Sequence, residues 1–333
     1  MADPLQKPSK QTAFNLDKVT KIFQLKRHLF KRDVREVVAL NNVSFNVGQG
    51  EIFGLVGESG SGKTTIGIAA LGLLPKNAQV ISGRILLDGQ DLLSLASTDL
   101  RSIRWKKMAM IFQAAMNALN PIQRVEDQIM EAILTHTPDM GRDEAAARVA
   151  ELFSQVGIPD QRRRDYPHQF SGGMRQRAVI AMALACRPNL IIADEPTTAL
   201  DVIVQDQILK LLRRLRDDSG MSILLITHDI AVAADVCDDI AVLYAGQVVE
   251  SGSRSEIFDA PAHPYTRALL SAYITLADPP EEAVALSGPS PDPIEPGQAC
   301  RFNDRCCDAA IACREQPPAW KLLSPTHRVR CCR

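Results

Sequence analysis

The sequence predicts an α/β fold built around a mostly parallel sheet, with more than one domain. The chain has 333 residues, which exceeds what one small hydrophobic core accommodates. Short apolar strands alternate with helical stretches from about residue 12 to 250. The runs LIIA and ILLI lack polar alternation, and such strands are typical of the centre of parallel sheets that helices cover on both faces.

The individual elements follow from apolar runs and from helical periodicity. Five segments are predicted as strands: EIFGLVG (51–57), MAMIF (108–112), LIIAD (190–194), SILLIT (222–227) and DIAVLYAG (239–246). Four segments are predicted as helices: TTIGIAALGLL (64–74), DEAAARVAELFSQVG (143–157), GGMRQRAVIAMALAC (172–186) and VIVQDQILKLLRRLRDD (202–218). The basic stretch 26–35 is interpreted as a solvated hairpin tip between early strands, with a docking patch as the alternative. Residues 279–296 contain six prolines, which indicates an extended linker.

Composition excludes several classes of protein. Hydrophobic residues make up 46% and charged residues 23% of the chain, as in ordinary soluble proteins. The net charge is -1, so no overall field favours nucleic acid or a membrane surface. The start MADPLQKPSKQTAF has no apolar signal region. We therefore expect a cytosolic protein with reduced thiols, in which clustered cysteines bind metal more often than they form disulfides.

A phosphate-binding loop is predicted at GESGSGKT, residues 57–64. Its glycines allow successive backbone N–H groups to converge on a phosphate, and the following helix adds its positive N-terminal end. The Lys63 ammonium is suited to the β- and γ-phosphates and the Thr64 hydroxyl to Mg²⁺. The predicted nucleotide-binding residues of this loop are Gly57, Ser59, Gly60, Ser61, Gly62, Lys63, Thr64 and Thr65.

Three further groups follow predicted strands, where ligands bind in open α/β sheets. Asp194 ends LIIAD and is predicted to hold Mg²⁺, while the adjacent Glu195 is predicted to accept the proton of an attacking water. Gln113 follows MAMIF and is predicted to sense the γ-phosphate or Mg²⁺. His228 follows SILLIT and is predicted to contact the γ-phosphate. A lone histidine in this place is otherwise more often structural.

A second anion site is indicated at FSGGMRQR, residues 170–177. Ser171, Gly172 and Gly173 precede a predicted helix, so a hydroxyl and free N–H groups converge there. The segment has no phosphate-loop lysine. By itself this pattern is more often an ordinary helix cap.

Together these motifs resemble the nucleotide-binding subunit of ATP-binding cassette (ABC) transporters, over residues 12–255. The matching motifs include the TALD segment that ends at Asp201. The resemblance implies a P-loop ABC ATPase domain with a RecA-like core, a β-subdomain and a helical subdomain. It also implies that two such domains face each other head to tail, so that each signature (171–177) completes the ATP site of the partner. Phe23 best matches the aromatic that stacks on adenine, with an ordinary core aromatic as the alternative.

A narrower resemblance is to the oligopeptide/dipeptide/nickel importer branch. It is carried by IFQAAMNALNP, YPHQFSGGMRQR, DEPTTALDV, HPYTRALL (263–270) and the cysteine-rich tail. It implies residues 1–255 as nucleotide-binding domain and 256–333 as a C-terminal extension with a small cysteine-rich domain. The implied partners are a related second ATPase, two membrane permeases and an extracytoplasmic binding protein, and no nucleic acid. The subunit would lie peripherally on the cytoplasmic face of the inner membrane. Peptides are the leading solute, and nickel, glutathione or another small solute remain alternatives.

The tail holds six of the eight cysteines, between residues 300 and 333. The resemblance implies a [4Fe–4S] cluster bound by Cys300, Cys306, Cys313 and Cys331, in addition to ATP and Mg²⁺. A zinc site or an unligated set of thiols is the alternative. The doublets 306/307 and 331/332 leave the ligand within each pair open.

Two other functions are weighed against transport. Soluble ABC proteins of translation carry two cassettes and those of DNA repair carry a long coiled-coil insert, and this sequence has no internal repeat and no such insert. A regulator or metal-sensing adaptor with a vestigial ATPase would not need Lys63, Asp194, Glu195 and His228 together. The importer ATPase is therefore favoured.

Overall fold

A computed structural model describes residues 11–26, 34–113, 118–271 and 299–333, together with residues 286, 288, 289, 291 and 294. The chain divides into two compact units. Unit 1 comprises Met1–Gly48, Phe53–Leu93 and Ile226–Arg333, and unit 2 comprises Gln49–Ile52 and Ser94–Leu225. The proposed domain boundary between residues 255 and 256 stays a prediction.

Unit 1 contains an antiparallel sheet in the order β2-β1-β4-β5. Its strands are β1 (Thr12–Lys26), β2 (Val34–Gly48), β4 (Ala78–Leu87) and β5 (Gln90–Asp91). Lys26 and Val34 are paired at the end of the β1–β2 ladder, so these early strands are antiparallel neighbours. The connection itself, residues 27–33 of the predicted hairpin tip, lies outside the described residues. Phe14 and Phe45 of this sheet are buried, and their ring centroids are 6.4 Å apart.

A second set of strands in unit 1 follows the order β11-β12-β10-β9-β3. The strands are β3 (Ile52–Val56), β9 (Asp239–Tyr244), β10 (Gln247–Ser253), β11 (Trp320–Leu322) and β12 (Arg328–Arg330). Strand β3 runs parallel to β9, and the other pairs are antiparallel. The helices of unit 1 are α1 (Lys63–Ala70), α7 (Ile230–Val236), α8 (Arg254–Asp259), α9 (Pro264–Ser271) and α10 (Ile311–Glu315).

The C-terminal tail is attached to β10 through buried polar groups. The Glu250 carboxylate is fully buried and lies 2.7 Å from Nε2 of His327. It also accepts the backbone N–H groups of Ala262 and His263, at 2.7 and 2.9 Å. Charged groups are buried only when paired in this way, so these bonds fix the hairpin of β11 and β12 in register with β10.

Unit 2 contains the parallel pair β6 (Met108–Ile111) and β7 (Leu190–Asp194). Strand β8 (Ser222–Thr227) crosses the boundary between the units. The helices of unit 2 are α2 (Ser97–Ile103), α3 (Val125–His136), α4 (Arg142–Gln155), α5 (Gly172–Ala183) and α6 (Val202–Ser219). Helix α6 begins at the Asp201 cap and ends at Gly220, whose φ of 70° is left-handed. These are typical start and stop signals.

The five predicted strands and four predicted helices are confirmed, but helices α1 and α5 end earlier than predicted. Helix α5 ends at Ala183 and not at residue 186. Helix α1 ends at Ala70 and not at residue 74. Gly72 has a φ of 63° and its N–H bonds to the Ala69 carbonyl, so the left-handed glycine terminates the helix. The proposed linker, residues 279–296, lies almost wholly outside the described residues. None of the helices in the part of the chain that the structure describes is long and apolar enough to cross a membrane.

Candidate functional site

The phosphate loop in unit 1 connects β3 to α1. Two of its glycines are required by close approach to other backbone. A Cβ on Gly57 would lie 2.0 Å from the carbonyl oxygen of Leu243 in β9. Gly62 has a φ of 105°, and a Cβ there would lie 2.7 Å from the Ala39 carbonyl oxygen. Larger residues at either position would displace the loop.

Lys63, the first residue of α1, is held against the loop. Its side chain is buried, and Nζ donates to the carbonyls of Gly57 and Glu58 at 2.6 and 2.8 Å. The N-cap of α1 is Gly62, which has no side chain to cap the first-turn N–H groups. The loop therefore combines a fixed ammonium with a helix N-terminus, and this combination is suited to anions.

The other predicted loop residues differ in exposure. Ser59 and Gly60 are exposed, Ser61 is buried, and Thr64 and Thr65 are half-buried in the first turn of α1. The exposed residues face outward at the tip of the loop. Thr64 directly follows Lys63 in the first turn of α1.

Glu58, within the loop, is held by two residues far away in sequence. Its N–H donates to the Tyr265 hydroxyl at 2.9 Å. Its carboxylate receives both guanidinium nitrogens of Arg305, at 2.7 and 2.8 Å. This bidentate pair raises the pKa of Arg305 above its usual value. Sequence reasoning missed both partners, since no local pattern connects them to the loop.

In unit 2, β7 ends at Asp194, a residue that is 1% exposed. The next residue, Glu195, has a left-handed φ of 47°. One Glu195 oxygen accepts from Nε2 of Gln113 and from Oγ1 of Thr198, both at 2.9 Å. Two predicted site residues, Gln113 and Glu195, therefore meet. A left-handed φ is uncommon for glutamate, and such backbone is typical of functional sites.

His228 directly follows β8 and is exposed. Its neighbours form a short turn, because the N–H of Asp229 donates to Thr227 Oγ1 at 3.0 Å. The Asp229 carboxylate caps α7 by accepting the Ala231 N–H at 2.8 Å. These two hydrogen bonds fix the backbone that flanks His228.

The signature segment in unit 2 forms the start of α5. Ser171 is its N-cap, and its Oγ accepts the N–H of Met174 at 3.3 Å. A Cβ on Gly173 would lie 2.7 Å from Cγ1 of Val204 in α6. The Asp201 carboxylate accepts the Val204 N–H at 2.9 Å. The structure thus brings the signature and the TALD segment together at the starts of two helices.

Phe23 lies in β1 and is half-buried. The ammonium of Lys21 lies over one face of its ring. Lys21 is fully buried, and this burial lowers its pKa to about 8. Lys21 thus occupies one face of Phe23, so a stacked base would have to use the other face.

The tail cysteines lie near one another in unit 1. All eight cysteines lie among the described residues, and none of them forms a disulfide. The N–H of Cys300 donates to the carbonyl of Cys313 at 2.9 Å, and the Cys332 thiol lies within hydrogen-bonding reach of the Cys313 thiol. Burial is the main cause that raises the pKa of Cys306 and of Cys332 to about 11. Among the described residues, no group of three or more His, Cys, Asp or Glu is arranged to hold a metal ion.

Family models match two parts of the chain. Residues 40–198 match the model described as ABC transporter. Residues 249–313 match the model described as oligopeptide/dipeptide transporter, C-terminal region. The first region contains the phosphate loop, the signature and Glu195. The second region contains Tyr265 and Arg305.

Similar curated proteins and solved structures extend these matches. The chain is 46% identical, over 89% of both chains, to the dipeptide transport ATP-binding protein DppD of Bacillus subtilis (strain 168). It is 42% identical, over 89% of this chain and 88% of the other, to the oligopeptide transport ATP-binding protein OppD of Salmonella typhimurium. A dimeric structure of a bacterial ABC transporter cassette aligns with a TM-score of 0.63 and 30% identity, covering 72% of this chain and 98% of that one.

Proposed function

This chain belongs to the ATP-binding subunits of dipeptide and oligopeptide ABC transporters, and we propose that it hydrolyses ATP to power the import of such peptides. The observation that carries the proposal is the phosphate loop with its buried Lys63, present together with Glu195 held by Gln113 and Thr198. A protein that only sensed nucleotide would not need the second group.

The phosphate loop binds the triphosphate of ATP in this proposal. Lys63 neutralises phosphate charge, and the first-turn N–H groups of α1 donate to phosphate oxygens. Thr64 and Asp194 supply the hard oxygen ligands that Mg²⁺ prefers, and Asp194 is buried at a strand end where few waters compete. When bound, Mg²⁺ neutralises charge on the β- and γ-phosphates. Phe23 contributes one ring face to the adenine.

Glu195 acts as the general base that takes a proton from the attacking water. Its carboxylate is oriented by the two hydrogen bonds from Gln113 and Thr198. A positioned base of this kind contributes a rate factor of about 10²–10⁴. His228, exposed after β8, contacts the γ-phosphate and helps to orient that water.

The signature, residues 171–177, acts on ATP held by a partner ATPase. It supplies a helix N-terminus but no lysine, so it completes a site and does not form one alone. Two solved structures of one similar cassette are dimeric, which supports this arrangement. The proposed complex contains a related second ATPase, two permeases and an extracytoplasmic solute-binding protein, with this subunit peripheral on the cytoplasmic face of the membrane.

Reconstitution tests the proposed function. The complete complex is placed in lipid vesicles, and uptake of a labelled dipeptide, nickel and glutathione is measured with and without ATP. ATP-dependent uptake of the dipeptide is expected. ATP-dependent uptake of nickel or glutathione without the dipeptide would support the ATPase and change the proposed solute. Absence of ATP-dependent uptake for all three solutes would refute the proposal that the complex is an importer.

The cysteine-rich tail is a separate proposal: a small domain that binds a [4Fe–4S] cluster through Cys300, Cys306, Cys313 and Cys331. Its support is the family resemblance and the mutual proximity of the tail thiols. The present arrangement does not form a metal-holding group, so the side chains would have to reorient. Cys306 is half-buried and Cys307 exposed, which favours Cys306 of that pair.

Metal analysis of anaerobically purified protein tests this proposal. Iron and sulfide near four per chain and a brown colour are expected. Stoichiometric zinc, or neither metal, would refute the cluster and leave the ATPase proposal unaffected.

A further inference from the structure

We propose that Arg305 and Tyr265 are positioning residues for the phosphate loop, so that the affinity for ATP depends on the cysteine-bearing tail. The inference rests on the proposed function, because it concerns the same loop. Both residues act through Glu58, and neither needs to touch the nucleotide. All the contacts that carry it lie within unit 1.

The Arg305 contact is a paired, mostly buried ion bridge. Two guanidinium nitrogens donate to the two carboxylate oxygens of Glu58, at 2.7 and 2.8 Å. The Arg305 side chain is 7% exposed and that of Glu58 is 27% exposed. Bidentate pairs fix direction as well as distance, and water competes little with a buried guanidinium. Arg305 therefore holds the Glu58 side chain in one orientation.

Tyr265 holds the backbone of the same residue. Its hydroxyl accepts the Glu58 N–H at 2.9 Å, and the tyrosine is fully buried. Its ring centroid lies 4.6 Å from that of Tyr244 and 5.5 Å from that of Phe302. The Tyr244 hydroxyl also accepts from Arg305 at 3.3 Å. One aromatic cluster thus supports both contacts to Glu58.

Glu58 in turn holds the lysine of the loop. Its carbonyl accepts from Lys63 Nζ at 2.8 Å and from the N–H of Ser61 at 3.2 Å. A shift of Glu58 would therefore move the ammonium that the proposed function assigns to phosphate. Charge acts in the same direction, because the Glu58 carboxylate would repel a triphosphate if Arg305 did not neutralise it.

Arg305 is also part of the cysteine segment. A compact turn joins residues 300–306, in which the N–H of Asn303 donates to the Cys300 carbonyl at 3.0 Å and that of Arg305 to the Phe302 carbonyl at 3.1 Å. Cys306 follows Arg305 directly. The tail therefore reaches the phosphate loop through one short, hydrogen-bonded turn of backbone.

The test measures ATP affinity of the full-length chain and compares several variants. Arg305→Ala is expected to weaken ATP binding about tenfold, by loss of one charge-assisted pair. Adding Glu58→Gln to this variant removes the unpaired charge and is expected to recover most of that loss. Arg305→Lys keeps the charge without the fork and is expected to weaken binding about threefold.

Arg267→Ala is the matched control. Arg267 forms an exposed ion pair with Asp308 of the tail at 2.9 Å and does not contact Glu58. It should leave ATP affinity unchanged. In the assembled complex, Arg305→Ala should raise KM for ATP about tenfold, while kcat at saturating ATP stays within about twofold of wild type. A general loss of folding would lower kcat as well, so this pattern separates the two causes.

Several results would overturn the proposal. ATP affinity of Arg305→Ala within twofold of wild type would do so, as would an equal loss in Arg267→Ala. No recovery in the double variant would place the effect in the aromatic cluster and not in Glu58. If Arg305→Ala does not fold, wild-type affinity in Arg305→Lys decides against the proposal. Failure of the wild-type chain to bind ATP would instead refute the proposed function.

Discussion

Two helices of this protein begin directly after a glycine-bearing segment, and the two starts differ in what holds them. At α1 the N-cap is Gly62, the lysine is buried, and the loop is held by Arg305 and Tyr265. At α5 the N-cap is the exposed Ser171, whose own hydroxyl caps the helix.

The difference lies in how each start satisfies its backbone N–H groups. A serine cap satisfies one of the first-turn donors internally, whereas a glycine cap leaves that donor to a ligand. The glycines also serve different purposes. Gly62 permits a left-handed turn, and Gly173 permits Val204 of α6 to approach α5. The start of α1 therefore suits the proposed role of binding an anion by itself. The start of α5 packs against α6, and its proposed anion contact is to nucleotide held by a partner.

The largest effect is expected from replacing Glu195, the proposed general base, which lies outside both helix starts. Glu195→Gln keeps the shape and the hydrogen bond from Gln113 but cannot take a proton. ATP turnover of the complex should fall about 10²–10⁴-fold while ATP binding persists. Turnover within about threefold of wild type, roughly 0.65 kcal/mol, would show that hydrolysis does not depend on this carboxylate.

Exchanging charge at the two helix starts separates their functions. Lys63→Ala should weaken ATP binding by the isolated chain about 100-fold or more, because a buried charged donor to phosphate is lost. Ser171→Arg should leave that binding intact and reduce hydrolysis at the partner's site. Equilibrium binding to the isolated chain and ATPase activity of the complex are the two measurements. Loss of binding by Ser171→Arg would contradict the assignment of the signature to the partner.

Alanine at Gly173 tests the packing of α5 against α6. In Gly173→Ala the new Cβ meets Val204, and overpacking of this kind costs about 1–3 kcal/mol of unfolding free energy. Adding Val204→Ala should relieve much of this cost. Denaturant unfolding measures both variants, and an unchanged stability in Gly173→Ala would show that α5 and α6 do not need the glycine.

The smallest effect is expected at Gly60. No heavy atom lies within 4 Å of a Cβ built there, but its φ is 80°. Gly60→Ala should therefore destabilise the protein by only about 1–2 kcal/mol through backbone strain. The cost should persist when neighbouring side chains are shortened, unlike that of Gly173→Ala. Relief by such shortening would contradict a purely conformational cause.

Sequence reasoning predicted the elements and motifs that depend on local signals. The strands β3 and β6 to β9 are apolar runs, and the phosphate loop, the Asp194–Glu195 pair and the signature each lie within a few residues. The sequence predicted that Gln113 and Glu195 each follow a strand. It did not predict the hydrogen bond between their side chains. Helix α1 was overextended because an apolar run continued through Gly72, whose left-handed φ ends the helix.

Contacts between distant segments could not be predicted in this way. Glu58 and Arg305 are 247 residues apart in sequence, and neither has a local pattern that names its partner. The same holds for Glu250 and His327. Burial decides such pairings: a charge removed from water requires a partner, and the fold determines which one it meets. The proximity of the tail thiols likewise depends on the turn at 300–306 and not on cysteine spacing.

The hairpin of β11 and β12 has a consequence for protein production. It occupies the hydrogen-bonding side of β10 through the pairs Glu250 with Val329 and Ser251 with Arg328. A chain cut after residue 313, where the family match ends, would expose β10 as an unprotected sheet edge and leave Glu250 without His327. Open edges recruit strands from other chains, so such a fragment would tend to aggregate. The outer strand β11 is only three residues long and contains Lys321, features that protect an edge from this fate.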